Sequence, residues 1–212
     1  MRALIIGATG ATGKDLVNVL LQDPDYTEVV AFVRRPGEVI HPKYSEIITD
    51  FEKLEEVADS ISGDVWFTCL GTTLKAAGSK EKQWHIDHNI PLKFAQLARR
   101  NGVSKAVVVS AYGATATSKV FYSKLKGTLD DEIVKLGFDS CLIFRPGFLL
   151  RQNTDRPSER LMAQGLSLLN RLGILRKFRP LPTSTLAEKL AKAPKIFQSG
   201  THIFELDKIF GI

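Results

Sequence analysis

Residues 1–13 read MRALIIGATGATG. Arg2 to Ile6 is a short apolar run with two adjacent isoleucines, the pattern of a strand buried on both faces. Gly7, Gly10 and Gly13 follow at spacings of three. A helical pattern then runs from Ala11 to about Gln22, with Leu16, Val17, Leu20 and Leu21 as its apolar positions. Strand, glycine turn and helix make a phosphate cradle. Gly7 turns the chain tightly out of the strand, Gly10 lets a pyrophosphate approach the backbone, and Gly13 lets the helix pack close to the strand. The free N–H groups of the first helical turn, with the positive end of the helix dipole, then face the anion. Dinucleotide binding is the expectation, because the glycines lie between a strand and a helix.

Outward from this stretch, strand and helix patterns alternate, which predicts a parallel sheet. Glu28 to Val33 is the second strand, and Arg34-Arg35-Pro36-Gly37 ends it. In a dinucleotide fold this position lies beside the adenosine ribose. An acid there would bind the hydroxyls of NAD, whereas an arginine pairs with the 2′-phosphate of NADP. Two arginines and no acid favour NADP(H), with Arg34 the first candidate and Arg35 the second. Tyr44–Thr49 reads as a third strand, Phe51–Ile61 as a short helix and Asp64–Leu70 as a fourth strand. Gly71-Thr72-Thr73 follows at its carboxyl end, where ligands bind in open parallel sheets. Lys75–Lys82 reads as a polar, mobile loop, and Trp84–Arg100 as a helix interrupted at Pro91. His85 and His88 share a face there without a third ligand, so no metal site is expected. Lys105–Val109, a helix over Ser118–Leu136 and a strand over Phe138–Phe144 complete the regular part. The expected fold is α/β: a single-domain Rossmann fold, a doubly wound parallel sheet with helices on both faces and a small C-terminal helical lid. Residues 1–150 form the cofactor-binding core, 151–200 the lid region, and 201–212 a final strand and tail.

Ser110, Tyr122 and Lys126 are the candidates for chemistry. Tyr122 and Lys126 stand at i and i+4 on one helix face. A tyrosine has an unperturbed pKa near about 10, and an ammonium one turn away favours the phenolate. Ser110, at the end of the fifth strand, can hydrogen-bond a substrate carbonyl and hold it towards the tyrosine. Hydride would then pass between nicotinamide and carbon, with the proton on Tyr122. Tyr112 is a rival phenol, but Ala116 stands where it would need a lysine.

The chain has 212 residues, 44% of them hydrophobic, which suits one α/β domain and argues against disorder. Its two cysteines, Cys69 and Cys141, read as reduced core residues. No apolar run reaches membrane-span length, and the N-terminus enters its strand at once, so a cytoplasmic protein is expected. The formal charge of +6 is uneven: residues 151–195 hold ten Lys/Arg and three Asp/Glu, a surplus of seven, leaving −1 elsewhere. That basic third fits an anionic substrate, an acidic protein partner or a solvated face, and nucleic acid less well. Within it, a helix over Glu159–Leu172 between mobile loops at Arg151–Pro157 and Arg176–Pro182 would form the lid. A last helix would start at a Thr183 or Ser184 cap, and a strand would follow over His202–Leu206. A small-molecule substrate is expected without an identity, and a homodimer or a protein partner fits equally.

GATGATG, AFVRRP, CLGTTLKAAGSKE, VVVSAYGA, FYSKLKG and FDSCLIFRPGFLL together resemble the atypical short-chain dehydrogenase/reductases (SDR), in particular the Tat-interacting-protein-like NAD(P)-binding oxidoreductases. The resemblance implies a Rossmann fold binding NADPH. It implies cofactor contacts from Gly7, Thr9, Gly10, Ala11, Thr12, Arg34, Leu70, Gly71, Tyr122 and Lys126, with Pro146 and Gly147 lining the nicotinamide. In the SDR pattern Asp50 and Phe51 flank the adenine, although Phe51 fits the core equally. The resemblance suggests an NADP-dependent oxidoreductase acting on a small carbonyl or alcohol. The alternatives are an NADPH-holding regulatory or assembly protein and, third, an NAD-dependent epimerase.

Overall fold

The computed structural model describes residues 1–151 and 176–212. β1 (Arg2–Ile6), α1 (Ala11–Gln22) and β2 (Glu28–Val33) have the bounds their sequence patterns predict. β3 (Tyr44–Ile48) leads into a 3₁₀ helix at Phe51–Ser60, and β4 spans Val65–Thr68. Two short helices follow, α2 (Leu74–Ala77) and α3 (Lys80–Trp84). A π-turn at His85–Asn89 joins α3 to α4 (Ile90–Arg100). Then come β5 (Lys105–Val109), α5 (Phe121–Lys135), β6 (Ser140–Arg145) and the two-residue β7 (Leu149–Leu150). After a 3₁₀ turn at Arg176–Phe178, β8 (Leu181–Pro182) pairs with β7, α6 spans Thr183–Ile196 and β9 spans Gly200–Glu205.

The sheet order is β3-β2-β1-β4-β5-β6-β9, with every pairing parallel. The order reverses between β1 and β4, which opens a crevice at the carboxyl ends of the strands. The doubly wound α/β class is borne out. Because the strands are covered on both faces, Leu4, Ile5, Ile6, Val107 and Ile143 are all fully buried. One face packs Leu16 and Leu20 of α1 with Leu186 and Leu190 of α6. The other packs Leu54 of the 3₁₀ helix, Phe94 of α4 and Leu129 of α5. Burying each such side chain contributes roughly 1.5–3 kcal/mol.

Three local expectations are corrected. Lys75–Lys82 is not a plain loop. Thr73 Oγ1 accepts from the Ala76 N–H at 3.2 Å and Ser79 Oγ from the Lys82 N–H at 3.2 Å, so each caps a short helix. Between them Gly78 takes φ +85°, the left-handed cap that ends α2. Neither Thr73 nor Ser79 has a counterpart at α6, which starts behind Pro182 with no side-chain cap. Pro91 lies in the first turn of α4, where a missing N–H costs nothing, and the preceding π-turn absorbs the change of register.

Of the stretch expected to form a lid, Arg151–Pro157 lies outside the described residues beyond Arg151, and the helix over Glu159–Leu172 lies wholly outside them. The described remainder includes α6, which packs against α1 across the sheet face. Tyr26 Oη donates to the Ala191 carbonyl at 2.7 Å, and Lys195 Nζ reaches Asp23 Oδ2 at 2.7 Å and Asp25 Oδ2 at 2.9 Å.

Candidate functional site

The glycine turn is built for close approach. Gly7 has φ +82°, and a Cβ there would stand 2.6 Å from the backbone of Cys69 and Leu70. A Cβ on Gly13 would overlap the Gly7 carbonyl oxygen. Only glycine fits either position, so β1, β4 and the start of α1 meet with bare backbone. No side chain caps α1 and no acid lies in its first turn. Among the described residues its first N–H groups have no side-chain partner, so they are placed to meet an anion. A dinucleotide fits this donor set: open backbone at Gly10 and Gly71, unpaired amides, and the exposed Arg34 and Arg35 beyond β2.

A cleft of about 1040 Å³ runs from this turn over the ends of β2 and β3. Gly7, Thr9, Gly10, Arg34, Asp50 and Phe51 line it, with Leu70, Gly71 and Thr72 from the end of β4. Arg34 also lines a smaller hollow of about 380 Å³ with Arg35 and Thr9. Phe51 both lines the cleft and packs on the core, while the Asp50 carboxylate accepts the Glu52 N–H at 3.0 Å as a helix cap. A second cleft of about 730 Å³ adjoins the first at Gly10 and Leu70–Thr72. Ala11, Thr12, Ser110, Tyr122 and Lys126 line this second cleft. Gly13, Pro146 and Gly147 line neither. Gly13 serves packing, the Pro146 carbonyl accepts the Tyr112 N–H at 2.9 Å, and Gly147 sits against Leu206. Tyr112 is also outside both clefts, edge-on to Phe178.

The three candidate catalytic residues differ in setting. Tyr122 is 39% exposed and makes no hydrogen bond within the described residues. Lys126 is buried, and its Nζ donates to the Val109 carbonyl at 3.2 Å. Ser110 is buried too. Its Oγ donates to Asp130 Oδ2 at 2.8 Å, and Asp130 Oδ2 also accepts from Arg145 Nε at 3.0 Å. Arg145 Nη1 in turn donates to Glu205 Oε1 of β9 at 3.0 Å. Ser110 is thus held by a chain of charges, and it offers its lone pairs, not its proton, to the cleft. Asp130 Oδ1 is buried without a partner. Burial pushes the Asp130 carboxyl above the usual range, against the opposing pull of Ser110 and Arg145.

Asp87, on the π-turn, is fully buried. Its Oδ1 accepts the Thr72 N–H at 2.7 Å, and its Oδ2 has no partner. Burial raises its carboxyl as well, opposed first by the charge of Lys126. The Thr72 carbonyl accepts from Gln83 Nε2 at 3.1 Å, so the shared wall of the two clefts is fixed from both sides. Sequence reasoning missed Asp87, Gln83 and Asp130. A signal for Asp130 was there: Tyr122, Lys126 and Asp130 recur every fourth residue on one helix face. His85 and His88 lie against carboxylates. His85 Nε2 bonds Glu52 Oε1 at 2.7 Å, and His88 Nε2 lies 2.9 Å from Glu132 Oε2, off the direction of a hydrogen bond. Among the described residues no cluster of three His, Cys, Asp or Glu side chains is placed to hold a metal. Both cysteines are free; Cys141 is buried in the core as expected, whereas Cys69 is half-buried and lines both clefts.

The profile of the family described as NAD(P)H-binding matches residues 7–167. The chain belongs to the NAD(P)H-binding family. It is an atypical SDR. Protein FMP52, mitochondrial, of Candida albicans is 37% identical over 161 residues, covering 73% of this chain and 70% of the relative. Protein HTATIP2 of Rattus norvegicus is 37% identical over 161 residues, covering 73% and 66%. Among solved structures, MoeE5 in complex with UDP-glucuronic acid and NAD superposes with a TM-score of 0.74 at 16% identity, covering 97% of this chain and 76% of that one. A UDP-galactose 4-epimerase gives a TM-score of 0.69 at 18% identity, covering 97% and 76%. These two likenesses establish the fold of this NAD(P)H-binding protein and nothing of its substrate.

The cytoplasmic expectation is overturned. The FMP52 relatives of Candida albicans, Saccharomyces cerevisiae and Eremothecium gossypii, 33–37% identical, are all named mitochondrial. An immediate first strand describes a folded α/β domain and carries no information about the compartment that receives it. Among the described residues, no helix is long and apolar enough to cross a membrane.

Proposed function

We propose that this NAD(P)H-binding protein is an NADP-dependent oxidoreductase that interconverts a small carbonyl compound and its alcohol. One observation carries the reading: Tyr122 and Lys126 line the same cleft as Gly10, Ala11 and Thr12, although more than a hundred residues separate the two groups. When bound, a nicotinamide cofactor would supply hydride to the carbonyl carbon. Tyr122 would give its hydroxyl proton to the carbonyl oxygen, and in the reverse direction take it back. Lys126, buried and fixed on the Val109 carbonyl, would bring a positive charge to the same cleft as the reacting oxygen. The phosphates would rest on the amides of Ala11–Gly13, and Arg34, with Arg35 beside it, would read the 2′-phosphate. Asp50, Phe51, Leu70, Gly71 and Thr72 would flank the adenine and ribose. By likeness to the fungal relatives, the mitochondrion is the proposed location.

Tyr122→Phe tests this. NADPH oxidation across a panel of aldehydes and ketones should fall by at least about a hundredfold, the lower bound for general acid catalysis. NADPH affinity should stay within about twofold. Unchanged turnover would remove Tyr122 as the proton donor. A second reading, a protein that holds NADPH to regulate a partner, is favoured by the Ser110–Asp130 bond. That bond withholds from a carbonyl the proton Ser110 would otherwise offer. Wild-type protein that binds NADPH and turns over no carbonyl on the panel would select this second reading.

A further inference from the structure

The cleft around Tyr122 continues outward past the tyrosine, and its outer wall has a composition of its own. Leu74, Val120, Phe121 and Leu149 line it, from three separate segments of the chain. Val120 is 64% exposed and Leu74 46%, so apolar surface stands open at the mouth. Two cations share this wall, Lys80 and Arg151. Lys80 Nζ lies 5.6 Å from the centroid of the Phe121 ring, which holds a positive charge on an apolar surface beside Tyr122. No Asp or Glu lines this cleft among the described residues.

These features are out of place for a cleft that receives only a neutral, hydrophilic carbonyl. Exposed apolar side chains fit an apolar body. Two cations unopposed by an acid, against low-dielectric walls, fit one negative charge and attract it from solution. The cofactor phosphates would have donors of their own, the first-turn amides of α1, whose residues Ala11 and Thr12 line this same cleft, and Arg34 and Arg35 in the adjoining hollows. We infer that the substrate is an anionic amphiphile: a carbonyl compound with an apolar alkyl or aryl body and a carboxylate or comparable anion. The anion would sit between Lys80 and Arg151, with the body on Leu74, Val120 and Phe121. The inference rests on the oxidoreductase reading for the word substrate, but the binding it describes can be measured without turnover.

The probe is a pair of unreactive compounds, 4-phenylbutyrate and its neutral amide. Their affinities are measured by calorimetry on protein saturated with NADP⁺ or NAD⁺, whichever it binds. The acid should bind at least tenfold more tightly than the amide. In Lys80→Gln and Arg151→Gln, singly and together, that gap should shrink to less than about threefold in the double variant, with oxidised-cofactor affinity unchanged. Equal binding of acid and amide, binding of neither, or a gap that survives the double substitution would overturn the inference. So would a parallel loss of cofactor affinity, which would show that the two cations serve the cofactor. A protein that discriminates the acid in this way and yet reduces no carbonyl would refute the oxidoreductase reading and leave the anionic ligand standing.

Discussion

Replacing Arg145 with Met tests the chain of charges that holds Ser110. Asp130 is 1% exposed, and its Oδ2 has two donors, Ser110 Oγ and Arg145 Nε. Met keeps most of the arginine's volume and removes the guanidinium. The carboxylate then keeps one hydroxyl partner and no compensating charge at contact distance. Breaking a buried pair in this way typically costs about 3–5 kcal/mol. The Arg145 side chain is 15% exposed, so some water reaches the gap and the lower end, about 3 kcal/mol, applies. Glu205, 39% exposed, returns to solvent at little cost. In a chain of this size that predicts a fall in Tm of roughly 6–12 °C. The pH dependence has a definite sign. Burial already raises the Asp130 carboxyl, and Arg145 opposes that rise. Without Arg145 the folded-state value climbs further, so the folded protein binds more protons than the unfolded chain above about pH 4. The deficit should be largest at pH 7 and shrink as the pH falls. Urea unfolding at pH 7 and pH 5 measures both features, and Asp130→Leu/Arg145→Met should recover most of the loss. A cost below about 1 kcal/mol, or one independent of pH, would refute the argument that Asp130 depends on Arg145.

Other outcomes follow from the same geometry. Arg34→Ala should weaken NADPH far more than NADH. A charge-assisted contact is worth about 1.5–3 kcal/mol, and Arg34 is exposed, so about tenfold is expected in titrations of cofactor fluorescence; equal loss for both cofactors would show that Arg34 does not read the 2′-phosphate. Asp87→Asn should raise stability at pH 7 by about 1 kcal/mol, because its side-chain oxygen still accepts the Thr72 N–H while the unpartnered buried charge is gone. Since burial raises the Asp87 carboxyl in the folded state, the wild type loses stability as pH rises through that value. The advantage of Asn should therefore vanish towards about pH 4. A less stable variant at pH 7 would show instead that Lys126 needs the charge.

How much of this was legible in the sequence depends on range. β1, α1, β2 and β5 announced their bounds, because strand patterns and glycine spacing are local. α2 and α3 did not, since helices of four and five residues are too short to show a period, and their caps are single hydroxyls. Tyr122 and Lys126 were visible as a pair one helical turn apart. The partner of Ser110 was not, because Asp130 meets it only when α5 crosses β5, and Arg145 and Glu205 join from two further strands. The placement of α6 against α1 was hidden for the same reason: the hydrogen bond from Tyr26 to Ala191 spans 165 positions.

The position of β9 at the sheet edge has a consequence for biosynthesis. As the protein emerges from the ribosome, Ser110, Tyr122 and Lys126 appear well before Glu205. Until then β6 presents a raw edge of unpaired backbone groups, and Arg145 lacks its outer carboxylate. A nascent chain stalled before residue 183 would thus hold every candidate catalytic side chain and still lack both the strand that covers β6 and the helix α6 that latches onto α1. Such a chain is the species a molecular chaperone would need to shield, and its exposed edge is the one from which aggregation would start.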